Sequence, residues 1–363
     1  MKNKLVFLII PLFFSCCARN DEISNHIVEI DINQNVNKNL PELEILDIVP
    51  LETNDSSIFG DISAIEYYSG KIYMLDIFNT KSVLVFNKEG DFINKTELGK
   101  GPKEIINPFA FCVDKKNKHI LVWDQTLKEM FTFDLNLNFV SRKSVPQLVV
   151  LEFAKLANDA ILVRSHFNQD SAFTLYSPNL TSVRNQYIKD FKYDGVEGLS
   201  RSISSYERTF LISSFNYNIY ELTESGVHCE FFFDFGTYQI TEEDVKENGL
   251  QGTWKLINTG EKVSGPHEID ASNNYLLFHV FYKNKEIFYL KSLDKDLIYR
   301  LNDYFVSNEL PNCEIRGVID NDTFYGVVKP NDLIEFQNNT ARILFEKDLN
   351  PQQNPLIISF SIK

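Results

Sequence analysis

Hydrophobic and polar positions alternate along most of the chain in short runs separated by turn residues. The clearest run covers residues 62–98, "ISAIEYYSGKIYMLDIFNTKSVLVFNKEGDFINKTEL", and residues 109–145 repeat its pattern, with "HILVWD" in the place of "KIYMLD" and "MFTFDLNLNF" in the place of "VLVFNKEGDF". Each copy contains a short apolar strand, a second strand ending in Asp, and a third strand with a terminal aromatic residue. Alternation with a period of two, bounded by Gly, Asn and Asp, predicts β-strands.

Weaker copies follow, and one equivalent apolar residue marks each of them. It recurs at Ile72, Ile120, Ile161, Phe210, Leu276 and Phe324, with separations of 48, 41, 49, 66 and 48 residues. A repeat of about 40–50 residues with several short strands is typical of propeller blades. The sequence therefore predicts an all-β fold, a six-bladed β-propeller that occupies residues 43–363 as a single domain.

Two stretches depart from the strand pattern and predict short helical insertions. The 66-residue interval contains "TEEDVKENG", in which Thr241 can cap a helix and Gly249 can end it in the left-handed conformation. Residues 331–350 mix helical and strand spacing, and we expect a helix there before the final strand.

The run "LEILDIVPLE" (Leu43–Glu52) alternates like a strand but lies outside the repeats. A ring of blades leaves an unpaired strand edge unless a segment from the other terminus completes the last blade. We therefore predict that this N-terminal strand closes the sixth blade.

Nearly the same five residues occur twice, as "GPKEI" from Gly101 and "GPHEI" from Gly265. We expect both to form crossovers between blades, into blades 2 and 5, with Gly supplying an unusual φ and Pro a fixed one. Glu104 and Glu268 are predicted to cap backbone amides, with ligand contact as the alternative.

The N-terminus has the features of an export signal. Two lysines, an apolar run from Leu5 to Phe14 and a small residue before Cys16 predict a signal peptide over residues 1–15. The "FFSC" end resembles a bacterial lipobox, which implies lipidation at Cys16 and a lipidated spacer over residues 16–42. The alternatives are lipidation at Cys17 and an ordinary secretory signal.

Anchoring by acyl chains would hold the protein on a membrane without a spanning helix. The "ARNDE" stretch after the cysteines resembles an acidic export signal, which implies an outer membrane lipoprotein exposed at the cell surface. A periplasm-facing lipoprotein is the alternative.

The chain as a whole resembles the bacterial six-bladed β-propeller lipoprotein family, relatives of NHL-repeat proteins. The resemblance rests on "VPLE" at residues 49–52, "YMLD…VLVFNKEGDF" at residues 73–92, "GKGPKEI" at residues 99–105, and "NP" plus a strand at residues 354–363. Lys103 replaces the Gly that the family commonly has in "GPGE". The family implies no settled reaction.

Charge and cysteine usage narrow the functions further. The formal net charge of −14 disfavours nucleic acid as a partner. Cys112, Cys229 and Cys313 are widely spaced, which suits buried thiols better than a disulfide framework or a zinc site.

No fingerprint of a nucleotide site or a serine nucleophile is present, so we assign neither catalytic residues nor a cofactor. Calcium and zinc stay possible as axial metals. The oligomeric state is left open.

Propeller sites usually lie at a channel mouth, which we expect where the crossovers and the turns after each second strand converge. The candidate ligand residues there are Asp76, Asn79, Lys103, Glu104, Asp124, Arg164, His166, Arg201, His267, Glu268, His279, Arg316 and Lys329. For Asp76 and Asp124 we favour the alternative that they bind the backbone of the following turn. Trp254 is a candidate rim aromatic that could stack on a sugar or a partner.

Two hypotheses of function follow from these candidates. The first is a cell-envelope binding or interaction module that holds a carbohydrate, a peptide or an envelope protein at the channel mouth and the rim insertion. The second is a metal-dependent hydrolase or lyase with its site on the central axis.

Overall fold

The alternating runs form the strands of a computed structural model that describes residues 26–33, 43–165, 172–188, 201–213, 215–302, 313–340, 345 and 349–362. Two strands precede the repeats, β1 (Ile27–Glu29) and β2 (Leu43–Pro50). Blade 1 contains β3 (Ala64–Tyr68), β4 (Lys71–Asp76), β5 (Ser82–Asn87) and β6 (Phe92–Lys95). Blade 2 contains β7 (Pro108–Asp114), β8 (His119–Asp124), β9 (Glu129–Asp134) and β10 (Phe139–Ser144).

The remaining blades repeat this order. Blade 3 contains β11 (Glu152–Lys155), β12 (Ile161–Arg164), β13 (Phe173–Tyr176) and β14 (Val183–Tyr187). Blade 4 contains β15 (Ile203–Ser205), β16 (Thr209–Leu211), β17 (Asn218–Thr223) and β18 (Gly226–Asp234). Blade 5 contains β19 (His267–Ala271), β20 (Tyr275–Tyr282), β21 (Lys285–Ser292) and β22 (Ile298–Arg300). Blade 6 contains β23 (Glu314–Val318), β24 (Thr323–Val328) and β25 (Leu356–Ile362).

These strands form six sheets in a ring, which confirms the predicted six-bladed β-propeller. The first strand of each blade contacts the first strand of the next, and β23 of blade 6 returns to β3 of blade 1. The six apolar residues used to count the repeats all lie in the second strand of their blades and are buried. The period in the sequence is therefore the period of the fold.

The hydrophobic core is divided among the six interfaces between neighbouring blades. Each interface has its own cluster of buried residues, from the pair of blades 1 and 2 round to the pair of blades 6 and 1. A smaller cluster lies under the insertion after blade 4. Each blade is thus stabilised on both faces only when the ring is complete.

Closure of the ring follows the prediction. Strand β2 pairs antiparallel with β25 as the outermost strand of blade 6, from Leu43 opposite Ile362 to Pro50 opposite Leu356. The chain immediately after it is fixed to the end of the repeats by Asn354, whose side chain donates to the carbonyls of Glu52 and Ser57 at 2.7 and 3.0 Å.

Strand β1 is a feature that the sequence pattern did not predict. It pairs parallel with β18 as a fifth strand on blade 4. Val28, Ile30 and Ile32 are buried in the interface between blades 4 and 5. Asn33 donates to the Tyr238 hydroxyl at 2.9 Å. Residues 26–33 of the expected spacer therefore pack on the propeller.

The insertion after blade 4 is a helix, α1 (Glu242–Thr259), and it starts as predicted. Thr241 and Asp244 form a capping box, in which each side chain accepts from the backbone N–H of the other residue. The predicted end at Gly249 is wrong. Gly249 has φ 62° and ψ −179°, which breaks the helix, but a second helical segment continues to a left-handed cap at Gly260. The predicted helix before the last strand is α2 (Pro330–Thr340).

The two Gly-Pro crossovers need glycine for a different reason from the one expected. Neither Gly101 nor Gly265 has a positive φ. A Cβ at Gly101 would lie 2.8 Å from the Glu104 carboxyl carbon, and one at Gly265 would lie 2.8 Å from the Asn216 carbonyl oxygen. Close approach of neighbouring groups therefore explains both glycines.

The three cysteines within the described ranges are free thiols, and Cys112 and Cys313 are buried. No helix in those ranges combines the length and the apolar character that crossing a membrane requires.

Candidate functional site: the axial cavity

The inner strands of all six blades surround a cavity of about 450 Å³ on the propeller axis. This volume lies within the range of about 300–1,000 Å³ that is usual for small-molecule sites. The lining is rich in charge. It contains the acidic residues Glu66, Asp114, Glu152, Glu268 and Asp270 and the basic residues Lys115, Lys116, Lys155, Arg164, Arg201 and Arg316.

The exposed part of the lining lies on one face of the ring. Lys115, Lys116 and Ala157 are the exposed lining residues, and all three lie in turns between the first and second strands of blades 2 and 3. At the other end, where the crossovers enter the blades, Ile62 is buried and Leu151 half-buried. The cavity is thus exposed on the face opposite the mouth that the sequence analysis expected.

Bulges in the inner strands turn side chains toward the axis. The pairing of first and second strands is irregular at Phe109 in blade 2, Glu268 in blade 5 and Arg316 in blade 6. All three residues line the cavity. Such bulges commonly re-aim a side chain at a functional site. Glu268 and Arg316 also pair with each other, with Arg316 Nη1 3.1 Å from Glu268 Oε1.

Arg201 is the central cation of the cavity. Its Nη1 donates to Asp270 Oδ2 at 3.2 Å. Burial lowers the pKa of Arg201, but Asp270, Glu66 and other anionic groups outweigh this effect and raise it above its ordinary value. The guanidinium therefore stays charged and neutralises carboxylates from different blades.

The acidic lining residues also tie neighbouring blades together. Glu152 of blade 3 accepts from the backbone N–H groups of Ser202 and Ile203 at 2.6 and 3.0 Å. Asp270 of blade 5 accepts from Ser204 of blade 4 at 2.9 Å and from the backbone N–H of Val318 of blade 6 at 3.0 Å. These carboxylates thus have structural partners already.

Burial nevertheless favours the protonated form of two of these acids. It raises the pKa of Glu152 to about 7, although Arg164 opposes the shift. Burial likewise raises the pKa of Glu66, against the opposing effects of Arg201 and Lys115. Near neutral pH Glu152 therefore carries only part of a negative charge, which leaves the lining more positive than its five acidic and six basic residues alone suggest.

The basic residues at the exposed end have different surroundings. Lys116 pairs with Asp159 outside the cavity. Lys115 donates to the Ser205 carbonyl at 3.4 Å and lies 4.8 Å from the centre of the Tyr206 ring. Lys155 is half-buried, and its side chain makes no hydrogen bond or ion pair with any residue that the structure describes. Its charge, after that of Lys116, helps to lower the pKa of Asp159.

Two of the predicted ligand residues have structural roles and do not line the cavity. Asp76 is buried and accepts from the backbone N–H groups of Gly60, Phe78, Asn79 and Thr80 at 2.9–3.1 Å. Asp124 accepts from four backbone N–H groups in the same way. Both contacts agree with the favoured alternative that these residues fix the following turn.

The residues of the first crossover also lie outside the cavity lining. Glu104 accepts from the Gly101 N–H at 2.7 Å, as its predicted capping role requires. Lys103 is exposed in the same turn. Glu268 of the second crossover lines the cavity and binds Arg316 instead.

The predicted histidines and the rim tryptophan do not line the cavity within the described residues. His267 and His279 are buried cross-strand neighbours in blade 5, with ring centroids 6.1 Å apart. Trp254 of α1 packs on His267 and Phe281, each at 5.7 Å between ring centroids. His166 lies outside the described residues. Of the candidates, the structure brings Arg164, Arg201, Glu268 and Arg316 together in the cavity.

Groups with metal-binding geometry do not occur on the axis within the described ranges. Within those ranges, the cluster whose side chains lie close enough together to bind a metal ion is Glu221, His228 and Glu230 on blade 4. Arg208 already occupies it, with Nε 2.6 Å from Glu221 Oε1 and Nη2 2.8 Å from Glu230 Oε1. Both carboxylates therefore have a cationic partner in the protein.

Glu66, Glu152, Asp270 and the lysines of the exposed end were not among the predicted site residues. Glu66, Lys115 and Lys116 lie inside the first two repeat copies, and Glu152, Lys155 and Asp270 lie just upstream of weaker copies, but the site was expected at the other face of the ring. A search for charged residues in and just after the first strand of each blade could have found them.

Known proteins support the fold. The family model described as "Domain of unknown function (DUF4934)" matches residues 27–361. No curated protein matches the chain. A structure of an exported protein from Bacteroides fragilis is similar, with 18% identity and a TM-score of 0.77 over 93% of this chain and 99% of that one.

A member of the duf4221 family from Bacteroides vulgatus is also similar, with 14% identity and a TM-score of 0.55 over 90% of this chain and 99% of that one. Identities this low show a shared fold. The finer kinship to NHL-repeat proteins stays a prediction.

Proposed function

We propose that this chain, which belongs to the DUF4934 family, is a binding module that holds a small polar ligand, such as part of a carbohydrate or peptide, in its axial cavity. The observation that carries the proposal is the cavity of about 450 Å³ with charged residues from several inner strands around it. A concave site in which polar groups converge beside apolar side chains is typical of ligand pockets.

The lining favours binding over a purely structural channel. Phe111, Val113 and Phe153 give it apolar surface, while Arg201 and Lys155 offer donors. The bulges at Glu268 and Arg316 turn polar groups inward at some cost in regular pairing. The proposed ligand site is therefore this cavity and not the crossover face. Its described lining contains no residue of the rim insertion α1.

A binding assay with a cavity-filling variant tests this function. We would measure ligand-detected NMR and thermal shifts for a fixed library of neutral and acidic sugars, amino acids and dipeptides. Ser205, a half-buried lining residue, would be replaced in Ser205→Trp, and exposed Ser56 in the matched control Ser56→Trp. We expect at least one library member to bind wild type and Ser56→Trp but not folded Ser205→Trp. Binding that survives in Ser205→Trp, or none at all, would contradict the proposal.

We further propose that the protein is an envelope lipoprotein anchored through Cys16 and exposed at the cell surface. The signal-like residues 1–15 and the lipobox-like "FFSC" support this address. Replacement Cys16→Ser should abolish incorporation of labelled palmitate and release the protein from the membrane fraction, whereas Cys17→Ser should not. Protease added to intact cells then separates surface exposure from the periplasm-facing alternative.

A further inference from the structure

Lys155 is a cation of the axial cavity that forms no ion pair of its own within the described residues. Arg201 pairs with Asp270, Arg316 with Glu268, and Lys116 with Asp159. Lys155, the last residue of β11, lines the cavity and is half-buried, and its side chain forms no ion pair or hydrogen bond within the described parts of the chain. The nearby anion Asp159, whose pKa Lys116 and Lys155 both lower, is already paired with Lys116. An ammonium group that is partly removed from water is costly unless an acceptor compensates it.

The surroundings of Lys155 reinforce this bias toward an anion. Lys115 lines the same exposed end, and its contacts are a long hydrogen bond of 3.4 Å to a carbonyl and the face of the Tyr206 ring. The whole chain carries 50 acidic against 36 basic residues, whereas the cavity lining has five acidic and six basic ones. The exposed end of the cavity is thus a basic site in an acidic protein.

We propose that the ligand of the axial cavity carries a carboxylate, and that Lys155 binds this carboxylate at the exposed end with support from Lys115. The inference rests on the proposed binding function and specifies its ligand class. A lysine ammonium offers three donors around a point charge, which suits a carboxylate oxygen.

The deeper lining sets the orientation of the ligand. Glu66, Glu152 and Asp270 lie around Arg201, so the charge of Arg201 is already compensated and attracts an incoming carboxylate less than the lysines of the exposed end do. The neutral part of the ligand therefore faces Arg201 and the carboxylates, where hydroxyl or amide N–H groups find acceptors. A carboxylate can be matched by Lys155 and Lys115 at the exposed end, whereas the acidic residues of the lining disfavour the greater charge of a phosphate dianion.

Pairs of probes that differ in the carboxylate test the inference. D-glucuronate is compared with D-glucose, and N-acetylglycylglycine with its C-terminal amide, so that sugar acids and peptide C-termini are distinguished. Inorganic phosphate is the third probe. Affinities are measured by ligand-detected NMR on the full mature chain, on Lys155→Met, and on the control Lys100→Met, in which an exposed crossover lysine is replaced.

We expect at least one acid to bind about tenfold or more tightly than its neutral partner, because hydrogen bonds to charged groups are among the stronger ones. That difference should disappear in Lys155→Met and persist in Lys100→Met. Equal binding of the acid and neutral partners, tighter binding of phosphate, or binding unchanged in Lys155→Met would overturn the inference.

The two proposals fail in different ways. If none of these acids binds but another library member binds wild type and is excluded by Ser205→Trp, the cavity is a ligand site and only the carboxylate inference is wrong. If nothing binds in either experiment, both are wrong.

Discussion

Asp76 shows how a single side chain can hold a blade corner. Its carboxylate accepts from four backbone N–H groups, three of which belong to Phe78, Asn79 and Thr80 in the following turn. Burial alone would raise the pKa of Asp76, but these hydrogen bonds outweigh it and lower the pKa below its ordinary value. The ionised form is thus the stable form in the folded protein.

Replacement Asp76→Ala should lower the free energy of unfolding by about 1–3 kcal/mol, because it leaves buried backbone donors without an acceptor. Urea denaturation at pH 7 measures the change. The matched control is Asp55→Ala, since Asp55 is exposed and its side chain makes no hydrogen bond or ion pair in the described ranges. Because the folded pKa is depressed, the contribution of Asp76 is complete above its ordinary pKa of 3.8 and is lost as the pH falls through the folded value. Equal stability of the two variants would contradict this role.

The two histidines of blade 5 should make the protein sensitive to acid. Burial lowers the pKa of His267 and of His279 from 6.5 to about 3, with smaller effects of His279 on His267 and of Arg316 on His279. Above pH 6.5 both are neutral in the folded and the unfolded chain. Below it the unfolded chain binds protons and the folded chain does not, so stability falls as the pH falls.

Between pH 7 and pH 5 each of these histidines should remove about 2 kcal/mol of unfolding free energy. Replacement His267→Phe keeps an aromatic ring beside Trp254 and Phe281. It should abolish the part of the loss in unfolding free energy that is due to His267. Urea midpoints at the two pH values measure it, and His119→Gln serves as the control because it leaves both buried histidines in place. An unchanged loss between pH 7 and pH 5 in His267→Phe would show that His267 takes up its proton in the folded state.

Helix α1 depends on a backbone conformation that is almost exclusive to glycine. Gly249 has φ 62° and ψ −179°, and the helix resumes after it so that Thr253 and Ile257 are buried. Replacement Gly249→Ala should therefore cost about 1–3 kcal/mol of unfolding free energy. Gln251→Ala, at an exposed helical position, should change it by less than about 0.5 kcal/mol. Thermal and urea unfolding of both variants would decide, and a neutral Gly249→Ala would mean that the two helical segments can join without strain.

The elements differ in how far the sequence predicts them. Second and third strands repeat because they are buried on both faces, and residues such as Ile72 and Phe86 have equivalents in the next blade. The inner strands face the cavity on one side, so that Glu152 and Asp270 interrupt the apolar alternation. The alternating pattern therefore predicts the ring and its closing strand. Which charged residues line the cavity becomes apparent only in the folded structure.

Other features that the sequence did not predict depend on residues far apart in the chain. Strand β1 is three residues long and follows the polar sequence "ARNDEISN", so its pairing with β18 depends on a partner about 200 residues away. The exposed face of the cavity depends on which turns are short enough to leave the axis uncovered. Neither the pairing of β1 nor the exposed face of the cavity can be predicted from a pattern of neighbouring residues.

At the scale of the whole molecule, stability depends on closure of the ring. Each of the six hydrophobic clusters joins two blades, and the cluster between blades 6 and 1 includes Leu51, next to the closing strand β2. Removal of β2 would expose the β25 edge of blade 6, with its residues Ile358 and Phe360.

Deletion of residues 40–55 should therefore produce aggregation and not a trimmed soluble monomer. Size-exclusion chromatography with light scattering measures the outcome. A chain that starts at residue 26 serves as the control, because it keeps both β1 and β2, and it should elute as a soluble species. A soluble, monomeric deletion variant would mean that β25 tolerates an open edge.

The position of β1 also has a mechanical consequence. Because β1 precedes β2 in the chain and is held by a short parallel pairing, a pull on residue 26 reaches β1 before it reaches the strand that closes the ring. Tension from an acylated cysteine upstream would thus be absorbed at the perimeter of blade 4, and the ring would stay intact until β1 had detached. Force spectroscopy between residue 26 and the C-terminus should record a small early rupture before the main one, and a single rupture would show that the two strands share the tension.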